Sequence, residues 1–200
     1  MRVRVYVEGG GDAASTRASC REGFCKFFQK ITPPGATPKV VASGGRRKAF
    51  DNFCDALRSH PNEVILLLVD SERSVTTGLW AHLRAKPDQW RRPVGATEEQ
   101  AHMMVQCMES WFLADKETLK EFYSDGFRVN ALPEHANVEL VAKDEANSSL
   151  KQASKRTQKG EYHKTRHGYR LLEIINPAKV RSASAHAARF FDELERQSQP

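Results

Sequence analysis

Two carboxylates that directly follow an apolar segment are the residues best placed to do chemistry. Residues 64–69 are all Val, Ile or Leu, and Asp70-Ser71-Glu72 comes next. A short, uniformly apolar run predicts a strand that is buried on both faces of a parallel sheet. Side chains two residues apart point to the same side of a strand, so we expect Asp70 and Glu72 to lie together at the carboxyl edge, where open α/β folds bind ligands. A hard cation such as Mg²⁺ would relieve their repulsion. The alternative is two solvated carboxylates at the start of a loop.

Further acidic residues follow the other predicted strands. Glu8 follows the alternating segment Val3–Val7, Asp12 lies beyond a turn of three glycines, and Glu109 follows the apolar segment 102–108, a predicted strand. Neighbouring strands lie about 4.8 Å apart, so these carboxylates can converge on one or two divalent ions. Two-metal sites stabilise both the entering and the leaving oxygen in phosphodiester displacement. The alternatives are a salt bridge to arginine for Glu8, helix N-capping for Asp12, and an ion pair with a basic residue for Glu109.

Strands and helices alternate in the part of the chain that must position these acids. Val3–Val7, residues 39–43 and residues 64–69 are the predicted strands, and the two segments between them place apolar residues at helical spacing. This alternation predicts an α/β fold with right-handed crossovers and a mostly parallel sheet of about four strands flanked by helices. Residues 1–142 are the predicted core, and residues 143–200 are a basic, helical extension packed on it.

Composition narrows the function classes. The chain has 200 residues and a net charge of +6, which favours a polyanionic partner such as nucleic acid. The four cysteines form no CxxC pair, so we expect reduced thiols and no zinc site. No apolar run approaches the roughly 18 residues of a membrane span. The N-terminus has no signal-peptide pattern, so we expect a cytoplasmic protein.

Basic residues at two places are candidates for contacts with phosphate. Arg46 and Arg47 open a predicted helix after two glycines, and arginine suits bidentate phosphate contacts. A solvated helix start is the equal alternative. His163 and Lys164 lie in the basic C-terminal region. There they would contact phosphate, and the histidine could instead carry a proton. The alternative is that they are surface residues without a functional role.

Several sequence blocks resemble known families. A strand that ends in Glu-Gly, followed by a strand that ends in an acidic pair, resembles the signature of the Toprim fold of topoisomerases, bacterial primases and nucleases of the overcoming-lysogenization-defect class. The chain is identified more closely as a member of the Toprim-like bacterial domain-of-unknown-function family 4276. The blocks that carry this resemblance are Val7-Glu-Gly-Gly-Gly-Asp12, Ser43-Gly-Gly-Arg46, Leu68-Val-Asp-Ser-Glu72, His102-Met-Met-Val-Gln-Cys-Met-Glu-Ser-Trp-Phe-Leu-Ala-Asp115, Tyr162-His-Lys164 and Ser184-Ala-His186.

The resemblance implies a Rossmann-like sheet, Mg²⁺ or Mn²⁺ at the acids, and nuclease activity on DNA or RNA. It implies that Glu8 is a general acid/base or a metal ligand, that Asp70 and Glu72 hold the metal, and that Asp12 and Glu109 complete a second site. Glu72 stands where the general motif has Asp, and its side chain is longer than that of Asp by one methylene. Relatives are often encoded beside an ATPase in defence-type gene neighbourhoods, so the resemblance implies that the nuclease acts in an antiviral defence system with an ATPase partner. The alternative is a non-catalytic, Toprim-like subunit that regulates an ATPase.

Overall fold

One four-stranded, all-parallel sheet forms the centre of the protein in a computed structural model that describes residues 2–85 and 87–199. Its strands are β1 (Val3–Val7), β2 (Lys39–Ala42), β3 (Val64–Asp70) and β4 (Ala101–Met104), in the order β2-β1-β3-β4. This confirms the predicted α/β class and strand number. All four strands run the same way, so the residues that follow β1, β3 and β4 meet at one edge of the sheet.

Helices cover both faces of the sheet. They are α1 (Ala14–Gln29), α2 (Arg46–Ser59), α3 (Leu79–Arg84), α4 (Met108–Leu113), α5 (Lys116–Tyr123), α6 (Lys143–Ser154), α7 (Tyr169–Ile174), α8 (Pro177–Ala183) and α9 (Ala185–Ser198), with a π-helix over Lys164–Gly168 and 3-10 helices over Glu98–Gln100, Val129–Ala131 and Val138–Leu140. α2 and α3 pack on one face, and α1 packs with the helices from α4 onwards on the other. Among the described residues, no helix combines the length and the apolar character that crossing a membrane requires.

The pattern of apolar residues explains how these elements form. Every residue of β3 is buried, as expected for a strand covered by helices on both faces. α1 buries Phe24, Phe27 and Phe28 on one side. It ends at Gln29, just before a proline pair that cannot continue a helix. The apolar stripe on each helix therefore fixes which face it turns to the sheet.

The C-terminal helices share a core with the sheet. Phe190 and Phe191 of α9 are fully buried and belong to the same hydrophobic cluster as α1 and β1. The division into residues 1–142 and 143–200 stays a prediction; within these ranges Met1, Lys86 and Pro200 lie outside the described residues.

The predicted strand over residues 102–108 is only partly correct. β4 ends at Met104, and α4 begins at Met108, so Glu109 lies in the first turn of a helix and not at the end of a strand. All six residues of α4 are buried. An apolar run that continues from a buried strand into a buried helix does not reveal where one ends, because both give the same sequence pattern.

Asp12 does not cap α1, contrary to one reading of the sequence. The N-cap is Ala13, which has no side-chain capping bond, and Asp12 is exposed. Gly9, Gly10 and Gly11 have φ of +136°, +89° and +52°. Glycine accommodates this left-handed backbone, and the helix begins one residue later than Asp12 would require.

Candidate functional site

Three carboxylates converge at the carboxyl edge of the sheet. Glu8 follows β1, Asp70 is the last residue of β3, and Glu72 lies two residues further on. One oxygen from each side chain lies within 4.8 Å of the others. The register that sets Val7 beside Leu68 places the ends of these central strands next to each other. The structure thus brings together the three residues that the sequence singled out as catalytic.

The backbone around β3 holds this cluster in place. Asp70 is 2 % exposed, and its Oδ1 accepts a hydrogen bond from the N–H of Met108 at 2.9 Å. Its own N–H donates to Oε2 of Glu8 at 3.3 Å. Glu72 has φ of +67°, and its N–H donates to the carbonyl of Gln106 at 2.9 Å. A left-handed turn after β3, and not strand alternation, therefore brings Glu72 back toward Asp70.

Two lysines from the C-terminal half contact the acidic cluster. Nζ of Lys143 lies 2.7 Å from both carboxylate oxygens of Glu72 and 3.8 Å from Oδ2 of Asp70. Nζ of Lys164 lies 3.6 Å from Oδ2 of Asp70 and 3.6 Å from Oε2 of Glu109. The two lysines partly neutralise the carboxylates around them.

Glu109 extends the acidic group into the interior. It is 1 % exposed, and its Oε1 accepts a hydrogen bond from the hydroxyl of Tyr162 at 2.9 Å. Its other oxygen is buried and has no hydrogen-bond partner in the described part of the chain. A buried carboxylate oxygen is costly without a partner. Glu109 therefore retains capacity for a further donor or a cation on the side that faces Lys164.

Arg46 closes the cluster on the α2 side. Its guanidinium donates from Nη1 to Oε2 of Glu8 at 3.2 Å and to the carbonyl of Asp70, and it forms a two-point pair with Asp88. It also lies over the ring of Trp90, at 4.9 Å from the centroid. These internal contacts make Arg46 a support for Glu8, and the solvated helix start is the wrong interpretation for this residue.

The crowding shifts the pKa values at the site. Burial, and next the charge of Asp70, raise the pKa of Glu8 from 4.5 to about 7, against the opposing effect of Arg46. Burial also raises the pKa of Asp70, although Lys164 opposes this. Burial acts to lower the pKa of Lys164, but the carboxylates of Asp70 and Glu109 outweigh it and raise the pKa. Near pH 7, Glu8 can therefore both accept and release a proton, which is what a general acid/base requires.

Three other sequence candidates do not contact the cluster. Asp12 is exposed and lies outside the group of converging carboxylates found among the described residues. Arg47 is exposed and pairs with Asp51 one turn later in α2, at 3.0 Å. His163 is exposed, and its Nδ1 lies 3.0 Å from the hydroxyl of Thr165. Arg47 and His163 thus have local partners on the surface, and Asp12 is exposed.

Sequence reasoning gave no individual role to two residues of the site. Lys143 counted only as part of a basic stretch, and Tyr162 only as part of a motif. Lys143 is the first residue of α6, and Tyr162 precedes the π-helix that carries Lys164. For Tyr162, the signal in the sequence was its place in the Tyr162-His-Lys164 block. In the structure, both ends of this block contact the buried Glu109.

A comparison with protein-family models gave one match. The model described as Domain of unknown function (DUF4276) covers residues 7–195. The chain belongs to this family. No curated protein and no solved structure matches the chain. The DUF4276 match spans both the strand ends with Glu8 and Asp70 and the segment with Lys143 and Lys164, so the whole site falls inside the family's extent. The Toprim resemblance stays a prediction.

The donor set fits a hard divalent cation. Carboxylate oxygens are the ligands that Mg²⁺ and Mn²⁺ prefer, and burial makes ionising Glu8 and Asp70 unfavourable until a cation compensates them. The three oxygens lie within 4.8 Å of one another, and Glu8 and Glu72 are less buried than Asp70, so their side chains can adjust around an ion. Glu8, Asp70 and Glu72 would hold the ion.

Proposed function

We propose that this DUF4276 protein is a divalent-cation-dependent phosphodiesterase that cleaves nucleic acid. The convergence of Glu8, Asp70 and Glu72 at the carboxyl edge of a parallel sheet carries the proposal. The lysines beside these acids add the positive charge that a phosphate needs, and the net charge of +6 suits a polyanionic substrate. The Toprim resemblance supports the same reaction class.

The residues of the chain divide the chemistry between them. When bound, Mg²⁺ or Mn²⁺ would neutralise charge at the phosphoryl oxygens. Glu8 would hold the ion together with Asp70 and Glu72 and would orient the attacking water beside it. Lys164 and Lys143 would pair with the non-bridging oxygens of the phosphodiester, and Arg46 would hold Glu8 in position. Glu109 would hold Lys164 in place through their ion pair, and the hydroxyl of Tyr162 would hold Glu109.

The test replaces Asp70 and uses Asp12 as the matched control. Asp70→Asn keeps an oxygen for the Met108 N–H but removes the central charge, so we expect Mn²⁺ binding in calorimetry to be lost and strand cleavage to fall by about 10²- to 10⁴-fold. Asp12→Asn changes an exposed acid that lies outside the cluster, and we expect cleavage within about twofold of wild type. Labelled single- and double-stranded DNA and RNA, each with and without EDTA, would also identify the substrate. Cleavage by Asp70→Asn at the wild-type rate would contradict the assignment.

The second candidate is a non-catalytic subunit that regulates an ATPase, and one observation favours its lack of catalysis. Lys143 already bridges both oxygens of Glu72 at 2.7 Å, and Lys164 lies between Asp70 and Glu109. These pairs can stabilise the fold without a cation. Calorimetry with Mn²⁺ separates the candidates. No heat of binding, together with stable association with an ATPase encoded beside the gene, would favour the regulatory subunit.

A further inference from the structure

A groove runs along the open edge of the sheet, away from the acidic cluster. Its volume is about 670 Å³, and all four residues of β2 line it, together with residues of α1 and β1. β2 is the first strand of the order β2-β1-β3-β4, so one of its edges has no neighbouring strand among residues 2–85 and 87–199. An open strand edge presents backbone N–H and C=O groups that can pair with another chain.

The pairing with β1 shows which groups of β2 are exposed to this groove. The N–H of Ser43 donates to the carbonyl of Val7 at 3.1 Å, and parallel pairing uses alternate residues of each strand. The backbone groups of Val40 and Ala42 therefore point away from β1, toward the groove. Within the described residues, only the thiol of Cys25 approaches them, at the N–H of Val40. The edge thus retains unused donors and acceptors.

Every charged residue that lines the groove is cationic. Arg4 is paired with Glu63, which lies outside the groove, and Arg17 donates to the backbone carbonyls of residues 11 and 12. Arg21 and Lys39 have no ion-pair partner in the described part of the chain. Alanine, valine and tyrosine side chains lie between these charges. The groove therefore combines apolar walls, an open strand edge and a positively charged rim.

We propose that this groove binds an extended acidic segment of a partner protein, which adds to β2 as a fifth strand of the sheet. Such a segment would satisfy the backbone groups of Val40 and Ala42 and would place carboxylates beside Arg21 and Lys39. A second copy of the chain does not fit, because pairing two β2 edges would bring like charges together. Nucleic acid would use the cations but would leave the strand edge and the apolar walls without partners.

The test uses short synthetic peptides and the whole protein. The probe is a blocked peptide in which glutamate and valine alternate, and the matched control peptide carries an N-methyl group on every backbone amide, which preserves its charge and removes the N–H donors from both of its edges. We expect the first peptide to bind, with affinity that falls as salt rises, and to slow amide hydrogen exchange at Ala42. We expect at least about tenfold weaker binding of the N-methylated peptide.

Charge reversal locates the site. The double variant Arg21→Glu/Lys39→Glu should bind the acidic peptide at least about tenfold more weakly, whereas Arg166→Glu/Arg170→Glu, with the same change in net charge on exposed C-terminal residues, should bind as wild type does. Equal binding of both peptides, or equal loss in both variants, would overturn the proposal. The proposal would also be overturned if Arg21→Glu/Lys39→Glu bound a single-stranded oligonucleotide more weakly than wild type but bound the peptide equally well. None of these measurements depends on catalysis.

Discussion

The substitution Glu8→Gln tests whether the site is electrostatically strained without a cation. The pKa of Glu8 is raised from 4.5 to about 7 by burial and by Asp70. A raised carboxyl pKa means that the fold disfavours the ionised form. The resulting loss of stability is absent below pH 4.5, grows as pH rises through this window, and is complete above about pH 7. At about 1.4 kcal/mol per pKa unit, the full loss is about 3 kcal/mol.

Glutamine removes this charge and keeps an oxygen that can accept from Arg46 and from the N–H of Asp70. Glu8 is 18 % exposed, so solvent screens part of the effect. We therefore expect Glu8→Gln to be about 2 kcal/mol more stable than wild type at pH 8 in EDTA. In thermal denaturation this corresponds to a Tm higher by about 4–8 °C. At pH 5 the gain should fall below about 1 kcal/mol, because most of the folded wild type is then protonated at Glu8.

Thermal denaturation of a control variant, and of both proteins with Mn²⁺, tests this interpretation further. Glu161→Gln removes an exposed carboxylate elsewhere, and its Tm should follow wild type at both pH values. Added Mn²⁺ should reverse the order at pH 8, since the wild-type site gains stability on binding and the Glu8→Gln site gains less. If Glu8→Gln were less stable than wild type at pH 8 in EDTA, or if its advantage were the same at pH 5, the electrostatic interpretation of the cluster would be wrong.

Two further predictions concern the parts that support the site. Tyr162→Phe removes the hydroxyl that donates a hydrogen bond to the buried Glu109, so urea unfolding should show a loss of about 1–3 kcal/mol; an unchanged midpoint would contradict this role. Gly10→Ala places a Cβ 2.7 Å from the Cα of Arg17 at φ of +89° and should cost more than about 2 kcal/mol. Its matched control, Gly45→Ala, meets nothing within 4 Å and should change stability by less than about 1 kcal/mol; equal losses in the two variants would contradict the need for glycine in this turn.

Local patterns were sufficient to predict β1, β2 and β3 and the two helices between them. The apolar residues of β3 and the helical spacing in α1 are properties of short segments, and the structure contains both elements. The C-terminal end of β4 and the position of Glu109 were less accessible, because burial on all sides removes the periodicity that separates a strand from a helix.

The sequence by itself determined that Glu8 and Asp70 lie at the ends of parallel strands, at one edge of the sheet. The left-handed turn that brings Glu72 to them was decided by the tertiary structure. The tertiary structure alone decided which cations face them. Lys143 and Lys164 are more than seventy positions from Glu8 in the chain, and the packing of the C-terminal helices on the sheet brings them to the carboxylates. Tertiary packing also directs Arg46 inward and Arg47 to solvent, although the two are neighbours. Residue type fixes the charge, but burial and long-range contacts decide what that charge does.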